Sequence, residues 1–307
     1  MLLGACSSGV AIEGQDDPSA FNFEYGSATE LGRIQNEELV ELSGIVAGGV
    51  NQDVLWVHND RGNLPRLYAL DQKGKTVATY SLDRFNEDGA MSGDWEDIAR
   101  VPTNEGRGFD LYIGDIGNNA LAPKDYQILV VSEPIIDATN TSQVITTGFK
   151  TIQFQFPGVY ACNSECLLVH PVTGQIFIIA KAVKKENQST ASNMVWSLPA
   201  VSDGATSATA TLELPSIPAI AKEKVTGGDI SADGQFLILR TNKATAYLWQ
   251  LKKDQSLKET LSTTPKPIQL AKEKGGEAIC FALDHTALFT VYDGKQASRP
   301  LHRYPKK

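Results

Sequence analysis

A short motif recurs five times along this chain of 307 residues, and that recurrence restricts the fold more than any other feature of the sequence. Ser43-Gly44-Ile45, Glu96-Asp97-Ile98, Glu165-Cys166-Leu167, Gly228-Asp229-Ile230 and Glu277-Ala278-Ile279 share one form. Each sets a small or acidic residue, then one more residue, then Ile or Leu at the head of an apolar run. A turn and a more hydrophobic run follow every copy, at 54–57, 111–113, 176–179, 236–239 and 288–291. Units of roughly 50 to 70 residues, repeated and strand-like, read as the blades of a β-propeller.

The rest of the pattern agrees. Helical periodicity is nearly absent, and short runs of Val, Ile, Phe, Tyr and Trp are cut by Gly, Asn, Asp and Pro. The expected fold is all-β: a propeller of five four-stranded blades, with six blades as the alternative because the spacing of the motifs is uneven. Asp71–Lys75 and Ala232–Gln235 carry the Gly that a tight hairpin turn requires. The stretch 184–190 reads as a solvated loop in blade three. Blade five ends one strand short, at 301–304. A strand from the N-terminal side, either 21–25 or 31–40, is expected to complete it and so remove an open sheet edge. Residues 20–307 then form a single propeller domain.

Residues 1–19 are read separately. Leu3-Gly4-Ala5-Cys6 matches the end of a bacterial lipoprotein signal, in which Cys6 is the acylated residue, and 7–19 suit a flexible tether. On this reading the protein sits in the bacterial cell envelope, anchored to the outer membrane by lipid alone, since Ser7 after the Cys implies outer-membrane sorting. No run approaches the roughly 18 apolar residues of a membrane-spanning helix. The net charge of −8 argues against a nucleic-acid partner, which calls for a basic footprint. Cys162 and Cys166, four residues apart, are a candidate disulfide in an oxidising compartment, with two unpaired thiols as the other reading. Cys280 reads as a buried hydrophobe.

In a propeller the first strand of each blade lines the central channel, and its start shares a rim with the end of the second strand. Five scattered motifs thereby become one candidate site. Glu96, Asp97, Asp229 and Glu277 are candidate ligands for a hard cation such as Ca²⁺, whose partners are carboxylate, amide and backbone oxygens. His58, Asp60, Arg61, Asp115, Asn118, Lys181, Arg240 and Tyr292 are candidate contacts for a polar small molecule. A third reading gives the acids a structural task, accepting hydrogen bonds from backbone N–H groups of the neighbouring blade. His58 is the one histidine placed near the rim, as a candidate general base. The loop 114–119 and its counterpart 58–63 crowd acids and amides between glycines, on a rigid scaffold where binding residues tend to collect. Trp56, Trp95, Trp196 and Trp249 are expected to pack between blades. There is no G-x-S-x-G, H-E-x-x-H, Walker loop or dinucleotide fingerprint, so the sequence leans away from catalysis.

Glu41-Leu42-Ser43-Gly44-Ile45, Leu55–Gly62, Leu67-Tyr68-Ala69-Leu70-Asp71 and Trp95-Glu96-Asp97-Ile98-Ala99 together resemble the extracytoplasmic propeller proteins related to the esterase-like phytase and SMP-30/NHL groups. The resemblance covers the first half of the chain well and the second half only as repeats. It implies calcium near the channel mouth and a phosphoester or lactone substrate; those groups are usually six-bladed. The function expected is a non-catalytic envelope lipoprotein that binds an unknown small molecule or envelope protein at the rim. The alternatives are a calcium-assisted hydrolase and a purely structural envelope protein.

Overall fold

In the computed structural model the chain is a ring of five small antiparallel sheets. The structure describes residues 21, 23–82, 93–103, 106, 108–137, 144–185, 188–200, 207–273, 275–294 and 299–307. Cys6 and the tether 1–19 lie outside the described residues.

In chain order, β1 (Thr29–Ile34) precedes the first blade, which holds β2 (Leu42–Ala47), β3 (Val54–Asn59), β4 (Arg66–Asp71) and β5 (Thr76–Leu82). Blade two holds β6 (Trp95–Pro102), β7 (Phe109–Asp115), β8 (Tyr126–Ser132) and, after β9 (Val144–Thr147), β10 (Lys150–Gln155). Blade three holds β11 (Ala161–Val169), β12 (Ile176–Lys185), β13 (Gln188–Leu198) and, after β14 (Ser207–Thr209), β15 (Thr211–Leu214). Blade four holds β16 (Val225–Ile230), β17 (Phe236–Thr241), β18 (Thr245–Gln250) and β19 (Lys266–Gln269). Blade five holds β20 (Gly276–Phe281), β21 (Ala287–Tyr292) and β22 (Arg299–Pro305).

The inner strands β2, β6, β11, β16 and β20 each pack against the inner strands on both sides, and β20 packs back against β2. Blade five is completed by β1, which pairs antiparallel with β22 from Thr29↔Arg303 to Ile34↔Arg299. The closing strand therefore begins just ahead of the second of the two segments expected for it. Phe21, Phe23 and Tyr25 of the first segment instead pack against the seam between blades four and five.

Two strands depart from four-stranded regularity. β9 pairs parallel with β5, and β14 pairs parallel with β10, so each extends the outer edge of the preceding blade. Segments that lead into the outer strands of blades two and three thus strap those blades to their predecessors. Blade three also carries a long hairpin: β12 and β13 stay paired out to Lys185↔Gln188, where the sequence reads as a solvated loop.

Burial explains why the ring closes. The described hydrophobic residues fall into five clusters, one in each blade-to-blade interface. Trp56 and Trp95 fill the interface of blades one and two, Trp196 that of two and three, and Trp249 that of three and four. A single four-stranded sheet has two apolar faces and can cover neither alone; five in a ring cover all ten. Cys162, Cys166 and Cys280 are buried free thiols. Cys162 and Cys166 lie on one strand, where a spacing of four residues sets them roughly 13 Å apart, beyond the reach of a disulfide. Among the described residues no helix is long and apolar enough to cross a membrane.

Candidate functional site

Every inner strand carries a β-bulge at its channel-mouth end. Leu42 and Gly44 face the consecutive residues Asn59 and His58, leaving Ser43 unpaired. The same offset isolates Glu96 between Trp95 and Asp97, Glu165 between Ser164 and Cys166, Thr226 between Val225 and Gly227, and Glu277 between Gly276 and Ala278. A bulged residue is freed from the ladder, and its side chain is re-aimed. Opposite each bulge stands a second-strand residue, the strand's last in four blades (Asn59, Asp115, Thr241 and Tyr292) and mid-strand Ala180 in blade three, where β12 runs on past the mouth. The shared rim expected from the sequence is therefore present.

In blade four the register corrects the motif. The bulge falls on Thr226, so Gly228-Asp229-Ile230 lies two residues farther down the channel than the other copies. Asp229 accordingly has a different task. Its carboxylate accepts a hydrogen bond from the Phe281 N–H in blade five, 2.9 Å away. Asp97 does the same toward blade three, accepting from Leu167 N–H at 3.0 Å and from Ile98 N–H at 2.9 Å. Burial pushes the Asp229 carboxyl up to about 7 and raises Asp97 well above the carboxylate range, against the pull of these N–H donors. These two acids hold blades together, which is the structural role weighed above.

The mouth gathers Asp60, Asp94, Glu96, Glu165, Glu277 and Lys181. A second bulge, on β12, frees Lys181 beside Glu165, and the two form an ion pair. Burial works against the Lys181 charge, but Glu165, then Glu96 and Glu277, hold its pKa above the usual value. Glu165 is pushed up to about 7 by burial, with Lys181 opposing and Glu277 adding to the rise. Glu277 is raised by burial, and its Oε2 is buried without a hydrogen-bond partner.

The tightest group is Asp60, Asp94 and Glu96, each offering a carboxylate oxygen within 4.8 Å of the others. The backbone builds this group. Asp94 N–H donates to Asp115 Oδ1 at 2.9 Å, and Asp94 carbonyl accepts from Ile116 N–H at 3.1 Å and Gly117 N–H at 3.0 Å. Lys124 and Gln127 neutralise and hold Asp115 at 2.5 and 2.9 Å. Glu96 Oε2 takes a 3.3 Å hydrogen bond from Ser43 Oγ, whereas Glu96 Oε1 and Asp94 Oδ1 are buried and take none. A Cβ on Gly117 would lie 2.0 Å from Glu96 Oε1 and 2.6 Å from Asp94 Cγ, so only glycine leaves this hollow open. Burial raises Asp60 to about 7, with Asp94 next among the groups that raise it. Glu96 is raised well above the carboxylate range by burial and then by Glu165, Asp60 and Asp94. Three crowded carboxylates, two of them with buried oxygens that take no donor, must share protons or hold a cation. All-oxygen ligands at this spacing fit a hard ion such as Ca²⁺.

Other predicted residues stand apart from this group. His58 is fully buried, edge-on to Trp95 at 5.6 Å, with Nδ1 donating to the Asn59 carbonyl at 3.0 Å. Burial holds its pKa down to about 4, so it is neutral at ordinary pH. Gly44 makes room for it; a Cβ there would meet His58 Nε2 at 2.3 Å. Arg240 is buried beneath the rim, pairing with Glu273 at 2.5 Å and donating to the carbonyls of Ala278 and Val291. Asn118 pins its own loop through Ala122 and Tyr126 and takes the Asn163 side chain on its N–H. Arg61 is exposed, and Tyr292 is half-buried at the rim of blade five. Asp94 and Gly117 were not among the candidates. The alternation Asp94-Trp95-Glu96 was the available signal for the first; the second belongs to the glycine-bearing loop 114–119, where the sequence marked the acids and amides and not the space the glycine leaves.

No protein-family model matches this chain, and no curated protein matches it.

Proposed function

We propose that the protein is a binding protein that holds a divalent cation, Ca²⁺, at the mouth of its channel and captures a polar ligand there. Asp60, Asp94 and Glu96 are the protein ligands of the cation. The observation that carries this reading is the pair of buried, donorless oxygens, Glu96 Oε1 and Asp94 Oδ1, beside the Asp60 carboxylate. A cation between them supplies the missing partner and, by its charge, returns the raised carboxyls to their ionised forms. Lys181 and Tyr292 stand around the same rim for the ligand. The motif likeness of residues 41–45, 55–62, 67–71 and 95–99 to extracytoplasmic propellers of the esterase-like phytase and SMP-30/NHL groups supports the reading, and on the same proposal the protein sits in the bacterial cell envelope, anchored to the outer membrane through Cys6.

Calorimetric titration of the chelator-treated protein with CaCl₂ and MgCl₂ tests it. Saturable calcium binding, lost in Glu96→Gln and Asp94→Asn and much weaker for Mg²⁺, is expected. Absence of calcium binding in a folded wild-type protein would overturn it.

A calcium-assisted hydrolase has one observation on its side: Glu165, not a ligand of the cation, stands at the same mouth beside Lys181 with its carboxyl pushed up to about 7 by burial, placed to exchange a proton. Turnover of aryl phosphates or lactones that depends on calcium and disappears in Glu165→Gln while calcium binding persists would favour that reading over simple capture.

A further inference from the structure

At the opposite end of the channel, the hairpin turns of blades one and five frame a pocket of about 310 Å³. It lies on the seam between blades five and one, and the clustered acids of the mouth contribute nothing to it. One wall is Asp53 and Gln72 from blade one; the other is Asp284 and Arg303 from blade five. Leu55 and Phe289 form the apolar floor. Phe289 and Arg303 are directly opposed across β21 and β22, which sends both side chains to the same face of the sheet.

Its charges are unspent. Arg303 is half-buried, yet its guanidinium makes no hydrogen bond or ion pair among the described residues. Five donors held against an apolar floor call for an acceptor. Asp53 accepts from Gln72 Nε2 at 3.3 Å, and Asp284 accepts from Thr286 N–H and Oγ at 3.0 and 2.7 Å. Among the described residues, no other side chain or neighbouring N–H donates to the second oxygen of either carboxylate. The Thr286 hydrogen bonds hold Asp284 below the usual carboxylate range, so it is ionised. The volume lies at the lower end of ligand pockets, enough for roughly a dozen heavy atoms.

The charge arrangement selects the ligand. An anion drawn to Arg303 meets two carboxylates, and an amine drawn to the carboxylates meets the guanidinium. A molecule that carries both charges a few bonds apart satisfies both walls at once. We propose that this seam pocket binds a small zwitterion of the α-amino-acid class: carboxylate on Arg303, ammonium between Asp53 and Asp284, and an apolar side chain on Leu55 and Phe289. A guanidinium suits the carboxylate because it can donate two parallel hydrogen bonds.

The test is calorimetric titration of the full chain with L-leucine and L-phenylalanine, in chelator so that occupancy of the mouth does not enter. N-acetyl-L-phenylalanine, which lacks the ammonium, and phenethylamine, which lacks the carboxylate, serve as comparisons. Saturable binding of at least one amino acid is expected, with neither comparison compound binding detectably. Arg303→Met should weaken binding on the order of tenfold or more, as loss of a charge-assisted pair does. Asp284→Asn should weaken it while the unliganded melting temperature stays near that of wild type, since the residue is exposed. No binding of either amino acid, equal binding of a singly charged compound, or affinity indifferent to both substitutions would each overturn the proposal.

Discussion

The carboxylate of Asp97 accepts a hydrogen bond from the backbone N–H of Leu167, 3.0 Å away in the next blade. Asp229 repeats the contact with Phe281 at the boundary of blades four and five. Both donors are buried, and removing the acceptor leaves an orphaned N–H in the channel wall. Asp97→Ala and Asp229→Ala are each expected to cost about 1–3 kcal/mol in denaturant unfolding. Calcium stoichiometry should stay unchanged, since neither acid belongs to the mouth.

Glu133 provides a sharper stability test. Its carboxylate accepts from the N–H groups of Gly49, Val50 and Asn51, from Asn51 Nδ2 and from Trp56 Nε1, at 2.8–3.2 Å. One side chain of blade two thereby fixes the first hairpin turn of blade one. Glu133→Ala should lower stability by roughly 2–4 kcal/mol, because several donors lose a charged partner together. A loss below about 0.5 kcal/mol would show that water replaces the carboxylate at no cost.

The dependence of stability on pH follows from the buried acids. Asp60, Glu165 and Asp229 have carboxyls raised to about 7, mainly by burial, so between their ordinary range and 7 the folded chain binds more protons than the unfolded one. Their contribution is full below the unfolded pKa, near 4, and is lost as pH rises through about 7. His58 runs the other way: lowered to about 4, it costs stability as pH falls from 6.5. Three acids outweigh one histidine. In chelator, the melting temperature should therefore be higher near pH 5.5 than near pH 8, and calcium should narrow the difference at pH 8. A flat profile would mean that these carboxyls titrate normally.

Gly117→Ala probes the hollow at the mouth without touching a ligand. The added Cβ meets Glu96 Oε1 and the Asp94 carboxyl carbon, so calcium affinity should fall at least about tenfold, on the order of one lost charged contact. Gly106→Ala is a poor control because of its positive φ of 65°; Gly108→Ala, with only Thr103 nearby at 3.8 Å, should leave calcium binding intact.

Reduction should leave the melting temperature unchanged. Cys162, Cys166 and Cys280 are free and buried, so thiol titration in denaturant should count all three whether or not reductant was present.

The ring of blades was legible because strand periodicity and turn glycines are local signals, and the repeat multiplied them fivefold. Most strands begin and end within a few residues of the apolar runs that announced them. What failed was the fine register. Gly228-Asp229-Ile230 has the composition of the motif, but a bulge is a property of two paired strands, and in blade four pairing sets it at Thr226. The acids were therefore pooled at the rim when half of them, Asp97 and Asp229, serve the blade boundaries one layer down. Arg240 and His58 were drawn to the rim by sequence position alone; whether a side chain at a strand end turns outward or packs inward depends on the neighbouring blade. The straps β9 and β14 were likewise hidden, since nothing local says that a short polar strand will pair with the previous sheet.

The bulge repeated in every inner strand separates two jobs that a regular strand would fuse. Ladder and interface residues keep the ring standing, and Ser43 and Thr226 join them by donating to the Glu96 and Gly276 carbonyls of the next blade, while Glu96, Glu165 and Glu277 hang free of cross-strand pairing. Those three positions form an interchangeable keyboard around the opening. Selection, or an engineer, can rewrite what the opening recognises there, one blade at a time, and leave the architecture that carries it untouched.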